Sequence, residues 1–98
     1  MISKKGAMLF EWDDIKYWDN IKKHGLTFET AELVFLDPNY IDIYDELHSS
    51  DSEERHLIFG LVEKVLCVVC IIYDDHTRII SCRLATKKEE GFYYGRNA

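Results

Sequence analysis

The sequence predicts an α+β fold: an antiparallel sheet of four to five strands, two N-terminal helices on one face, and a short C-terminal helix. Three observations predict it. Two capped segments with apolar residues at helical spacing come first, and four short β-type segments follow. A last capping signal then opens near residue 86. The run at residues 65–73 is apolar at every position, so both its faces need cover and it belongs at the sheet's centre. At 98 residues the chain is expected to form one domain, 1–98, around one core.

Residues 8–12 read as a short strand. Asp13 is a suitable N-cap, and Ile15, Trp18 and Ile21 follow at helical spacing, so a helix is expected over 14–24, stopped by Gly25. Trp12 and Trp18 are read as core residues. Thr27 caps a second helix, with Ala31, Val34 and Phe35 as its apolar side, and Asp37-Pro38 ends it. Residues 40–44 alternate as a strand does, and 46–54 form a polar loop. Strands are expected over 55–62, 65–73 and 77–85, joined by connections short enough for hairpins. Thr86 and Glu89 make a capping box for a last helix through about residue 94.

Charge is unevenly distributed. The net value is −6, yet residues 29–54 hold nine acids and no Lys or Arg, while residues 76–88 hold Arg78, Arg83, Lys87 and Lys88 and no acid. Such a division suits a basic partner protein at one end and a polyanion at the other, or a solvated surface with internal ion pairs. No stretch approaches the roughly 20 apolar residues of a membrane helix, and no signal-peptide core follows Lys4-Lys5, so the expected compartment is the cytoplasm with no membrane partner.

Cys67 and Cys70 form C-x-x-C inside the apolar run, where residues three apart point to opposite faces. With an odd third thiol at Cys82, the reading is buried, unbridged cysteines. Gly-rich phosphate loops, H-E-x-x-H and G-x-S-x-G are absent, and the four histidines lack metal-ligand spacing; no metal and no cofactor is expected. Arg78 and Arg83 differ in strand parity, so an ideal strand sends them to opposite faces unless a bulge near Ser81-Cys82 intervenes. Arg83 with Lys87 is the safest pair for one phosphate, although a solvated edge paired with the acidic block is an alternative. On the first helix, part of the set Lys16, Asn20, Lys23 and His24 shares a face.

Several of these residues stand in an order that resembles a known family. Phe10-Glu11-Trp12-Asp13, Lys16, Asn20, Lys23-His24-Gly25 and Phe28 open the pattern, followed by Ala31, Val34-Phe35 and Asp37-Pro38. Glu54-Arg55 with Gly60, then Arg78-Ile-Ile-Ser-Cys-Arg83, Ala85-Thr86, Glu89 and Tyr93, complete it. Across residues 8–94 the chain resembles BrnT toxins of type II toxin–antitoxin systems. Leu84 departs from the pattern, where many relatives carry a second basic residue, and Glu89-Glu90-Gly91 makes the last helix less basic.

The resemblance implies a RelE-like ribonuclease fold and a metal-independent endoribonuclease that cuts RNA and inhibits translation. It also implies neutralisation by a BrnA-like ribbon-helix-helix antitoxin, with operator DNA reached only through that antitoxin. Such cleavage needs a base for the ribose 2′-OH, cations for the developing charge and an acid for the leaving 5′ oxygen. His24 is the candidate for proton transfer, since histidine's ordinary pKa is about 6.5. Arg55, Arg78 and Arg83 are candidates for phosphate binding, and Tyr93 for the leaving oxygen or base stacking. Glu54 is read as a base or as the orienter of an arginine, and Lys23, Lys87 and Lys88 as RNA-binding cations. A weakened member acting as an antitoxin-binding co-repressor is the alternative reading. A small ligand-binding protein is a third, but this short chain has little interior for a pocket.

Overall fold

The computed structural model describes residues 1–97. The elements run β1 (Ile2–Lys5), β2 (Met8–Glu11), α1 (Asp14–His24), α2 (Phe28–Val34) and β3 (Ile41–Tyr44), then β4 (Glu54–Val62), β5 (Lys64–Ile72), β6 (Thr77–Leu84) and α3 (Lys87–Arg96). One sheet holds all six strands in the order β1-β2-β6-β5-β4-β3. No helix among the described residues is long and apolar enough to cross a membrane.

Two details correct the expected sheet of four to five antiparallel strands. Residues 2–5 form an unforeseen edge strand, because Gly6 at φ +60° turns the chain back onto β2. Its Lys4-Lys5 composition carries no apolar alternation, so the segment gave no strand signal. The sheet is also mixed: β2 runs parallel to β6, touching it only at Phe10↔Thr77 and Glu11↔Arg78.

The caps form as the sequence predicts. The Asp13 carboxylate accepts from the Ile15 and Lys16 amides at 2.7 and 3.2 Å, and Gly25 takes the left-handed conformation that ends α1. Thr27 caps α2 through the Thr30 amide at 3.1 Å. Thr86 and Glu89 exchange both bonds of the capping box.

β5 is fourth in the row of six and buried on both sides. Phe10, Phe28, Val34, Ile58, Leu66, Val68, Cys70 and Cys82 pack under α1 and α2. Ile41, Phe59, Val65, Cys67 and Tyr93 form a second cluster under α3. Cys67 and Cys70 thus point to opposite faces, and all three cysteines are free, their thiols pushed up to about 12 by burial.

α1 corrects a second expectation. Trp12 is core, but Trp18 is 66% exposed and Ile15 74% exposed, and the fully buried residue of the helix is Asn20. α1 seats itself on the sheet through a polar side chain, which an apolar-periodicity argument does not detect.

α2 lies close against β4 at Gly60. A Cβ there would sit 2.7 Å from Val34 Cγ1 and 2.9 Å from the Val34 carbonyl oxygen. We expect Gly60→Ala to destabilise by about 1–3 kcal/mol, the ordinary cost of overpacking. A melting midpoint equal to wild type would show that α2 moves away freely.

Candidate functional site

Backbone pairing places the site. Val69 pairs with Ser81 but Cys70 pairs with Ile79, so Ile80 is an extra residue in β6. Ile79 and Cys82, three apart, therefore both enter the core under α1 and α2. The bulge also overrides the parity argument: Arg78 and Arg83 both lie on the α3 side of the sheet.

Beyond Arg78, β2 no longer covers β6, and its edge is open. Asn20 fills that edge. Its Oδ1 accepts from the Cys82 amide at 3.0 Å, and its Nδ2 donates to the Cys82 and Leu26 carbonyls, each at 2.9 Å. The carboxamide substitutes for the peptide of a missing neighbouring strand, and so fixes α1 against β6.

A cleft of about 450 Å³ opens beside this pin, lined by Lys16, Asp19, Asn20, Lys23, His24, Ile80, Ser81 and Arg83. It unites Lys16, Asn20, Lys23 and His24 of α1 with Arg83, all five singled out from the sequence. Three formal cations face one carboxylate there. Three of the four histidines hold an aspartate at Nδ1: His48 with Asp45 at 2.8 Å, His56 with Asp42 at 2.5 Å and His76 with Asp75 at 2.7 Å. His24 is exposed and has no hydrogen-bond partner among the described residues.

Arg83 reaches this cleft already held. Its Nη1 donates to Glu89 Oε1 at 2.7 Å and to the Leu84 carbonyl at 3.3 Å, and its Nη2 donates to Glu89 Oε2 at 3.0 Å. The predicted capping glutamate is therefore its partner, rather than the acidic block. Three of a guanidinium's five N–H donors are engaged, leaving Nε and one Nη2 hydrogen for a ligand. Arg83 beside Glu89 holds that carboxyl down at about 2.

The remaining candidates stand elsewhere. Arg55 and Arg78 flank Ile71 across three strands on the α3 side, forming a row. Arg78 donates to Glu11 at 2.8 Å and lies 6.0 Å from the Tyr73 ring centroid. Arg55 makes no ion pair among the described residues, and its Nε is buried without a hydrogen-bond partner. Lys87 and Lys88 are exposed in the first turn of α3 and do not line the cleft. Tyr93 is 3% exposed, and its hydroxyl donates to Asp37. Burial and that bond push the phenol up to about 12. Asp37 also accepts from the Leu61 and Asn39 amides, both at 2.8 Å. Burial raises its carboxyl, but the three bonds outweigh burial and hold it below the usual range. The Asp37-Pro38 helix stop thus ties α2, β4 and α3 together, a role its local reading did not contain.

Among the described residues no three His, Cys, Asp or Glu side chains converge as metal ligands. No curated protein matches the chain. A family model described as the ribonuclease toxin BrnT of type II toxin–antitoxin systems matches residues 12–89, which include α1, the bulged β6 and the Arg83–Glu89 pair. The chain therefore belongs to the BrnT family of type II ribonuclease toxins.

Proposed function

We propose that this toxin is an endoribonuclease that cuts RNA in the α1–β6 cleft without a metal and thereby stops translation in the cytoplasm. The observation that carries the reading is the convergence of Lys23, His24 and Arg83, from opposite ends of the chain, on one solvent-open depression. The ribose 2′-OH attacks the adjacent phosphorus, the P–O2′ bond forms and the P–O5′ bond breaks. His24 takes the 2′ proton and returns one to the leaving 5′ oxygen. Lys16, Lys23 and the two unengaged N–H groups of Arg83 face the charge that grows on the phosphoryl oxygens. Arg55 and Arg78 extend the cationic path along the α3 side of the sheet, and Lys87 and Lys88 add charge at the start of α3. Tyr93 serves this reading by holding α3 in place.

The antitoxin in this reading is a BrnA-like ribbon-helix-helix protein that carries the complex to operator DNA. Strand order supports a division of surfaces: Asp42, Asp45, Glu46, Asp51, Glu53 and Glu54 lie on or beside β3 and the start of β4, across the sheet from β6. A basic antitoxin segment is attracted there, away from Lys16, Lys23 and Arg83 of the cleft.

Incubating purified toxin with RNA in EDTA tests the reaction. Cleavage persists in EDTA, and His24→Ala lowers its rate by about 10²–10⁴ at unchanged melting temperature. Loss of wild-type cleavage in EDTA, or full activity of folded His24→Ala, rejects the mechanism. One observation favours a second reading, the antitoxin-binding co-repressor: Arg83 is already neutralised by Glu89. A folded wild-type chain that binds antitoxin and leaves RNA intact would establish it.

A further inference from the structure

We propose that α1 is a self-association surface on which two copies of this chain pair antiparallel about a two-fold axis near Trp18. The inference is independent of the RNA chemistry. Ile15, Trp18 and Lys22 are three and four residues apart, so they form one stripe. At 100° per residue that stripe lies on the side of α1 opposite Asn20, the residue that seats the helix on β6. Trp18 stands edge-to-face with Tyr17, ring centroids 5.2 Å apart, and is two-thirds exposed. A single exposed apolar residue is ordinary, but a largely uncovered Trp beside a more exposed Ile forms a patch.

Charge selects the occupant. The N-terminal end of α1 carries Asp13 and Asp14, and its last turn carries Lys22, Lys23 and His24. A second α1 laid antiparallel sets Asp14 against Lys22 of the other copy, twice by symmetry, whereas a parallel copy sets like against like. Asp14 and Lys22 make no ion pair within the chain among the described residues, so both are available. The helix dipoles also oppose favourably in this arrangement. Ile15, Trp18 and Lys22 do not line the cleft, so the stripe and the cleft are separate surfaces of α1.

The patch is small. An aromatic side chain buries about 150–250 Å², so two Trp, two Ile and the Lys stems fall short of the roughly 1,200–2,000 Å² of a stable interface. The dimer is therefore concentration-dependent. Sedimentation equilibrium of the full chain without antitoxin, from about 1 µM to about 1 mM, reads it directly. Trp18→Asp raises the dimer dissociation constant about a hundredfold, the effect of losing a central aromatic anchor from both sides. Asp14→Lys or Lys22→Glu alone weakens the dimer about fivefold, the value of two exposed ion pairs. The two reversals combined return it to within about twofold of wild type, because opposite charges again face each other. A chain monomeric at every concentration overturns the proposal. So does a dimer indifferent to Trp18→Asp, or a double reversal as weak as the singles. A monomer whose Trp18 becomes protected only in the antitoxin complex assigns the stripe to the antitoxin instead.

Discussion

Alanine at Arg83 is expected to lower RNA cleavage by about 10²–10³, the usual cost of removing one preorganised charge-stabilising contact. The same change should lower stability by about 1–3 kcal/mol, because it strands a partly buried glutamate. Arg83→Lys recovers little of either, since one ammonium cannot bridge both Glu89 oxygens and still present a donor to phosphate. Glu89→Gln separates the two roles. It keeps the guanidinium and removes the competing charge, so cleavage stays at or above wild type while stability falls. Acid supplies a matching test. Glu89 titrates near 2 when folded, against an ordinary value of 4.5, so the pair's contribution is complete above 4.5 and is lost as pH falls toward 2. In Glu89→Gln that part of the acid dependence disappears. A folded Arg83→Ala protein that cuts RNA at the wild-type rate would reduce the residue to a structural clamp.

Asn20→Leu should be the most destabilising single change on α1. Leucine nearly matches the volume, yet it leaves the Cys82 amide and the Cys82 and Leu26 carbonyls without partners. Each unsatisfied buried group costs about 1–3 kcal/mol, and a loss of about 3 kcal/mol lowers the midpoint of a chain this size by roughly 12–24 °C. Asn20→Asp fares little better, because its carboxylate faces two carbonyl oxygens where Nδ2 had donated. Cleavage falls with stability, since the helix carrying Lys23 and His24 is no longer fixed relative to Arg83. Thermal melts with hydrogen exchange at the Cys82 amide read both effects. A variant that melts within a few degrees of wild type, with that amide still protected, would show that packing alone positions the helix.

What could be read from the sequence was what short range controls. Asp13, Thr27, Gly25 and the Thr86–Glu89 box fixed helix ends because a cap acts within four residues. The opposite facing of Cys67 and Cys70 followed from strand alternation. Part of the set Lys16, Asn20, Lys23 and His24 shared a helix face, and all four line the cleft with Arg83. The failures were of longer range. Trp18 and Ile15 point outward because α1 docks through Asn20 on a strand edge, a fact set by a residue 62 positions away. Tyr93 carries an ordinary exposed-site chemistry until Asp37, from another element, takes its hydroxyl. Glu89 was legible as a cap, but the hold of both its oxygens on Arg83 depends on where β6 ends.

The surplus residue Ile80 works as a half-period phase shift in an alternating code. One peptide unit, about 3.3 Å of chain, decides to which side of the sheet everything downstream is addressed. Deleting it would turn Ser81-Cys82-Arg83 over, sending the guanidinium toward the layer under α1 and α2 and the thiol to the α3 side. The position of one charge is therefore encoded by the count of residues before it as much as by the arginine codon itself.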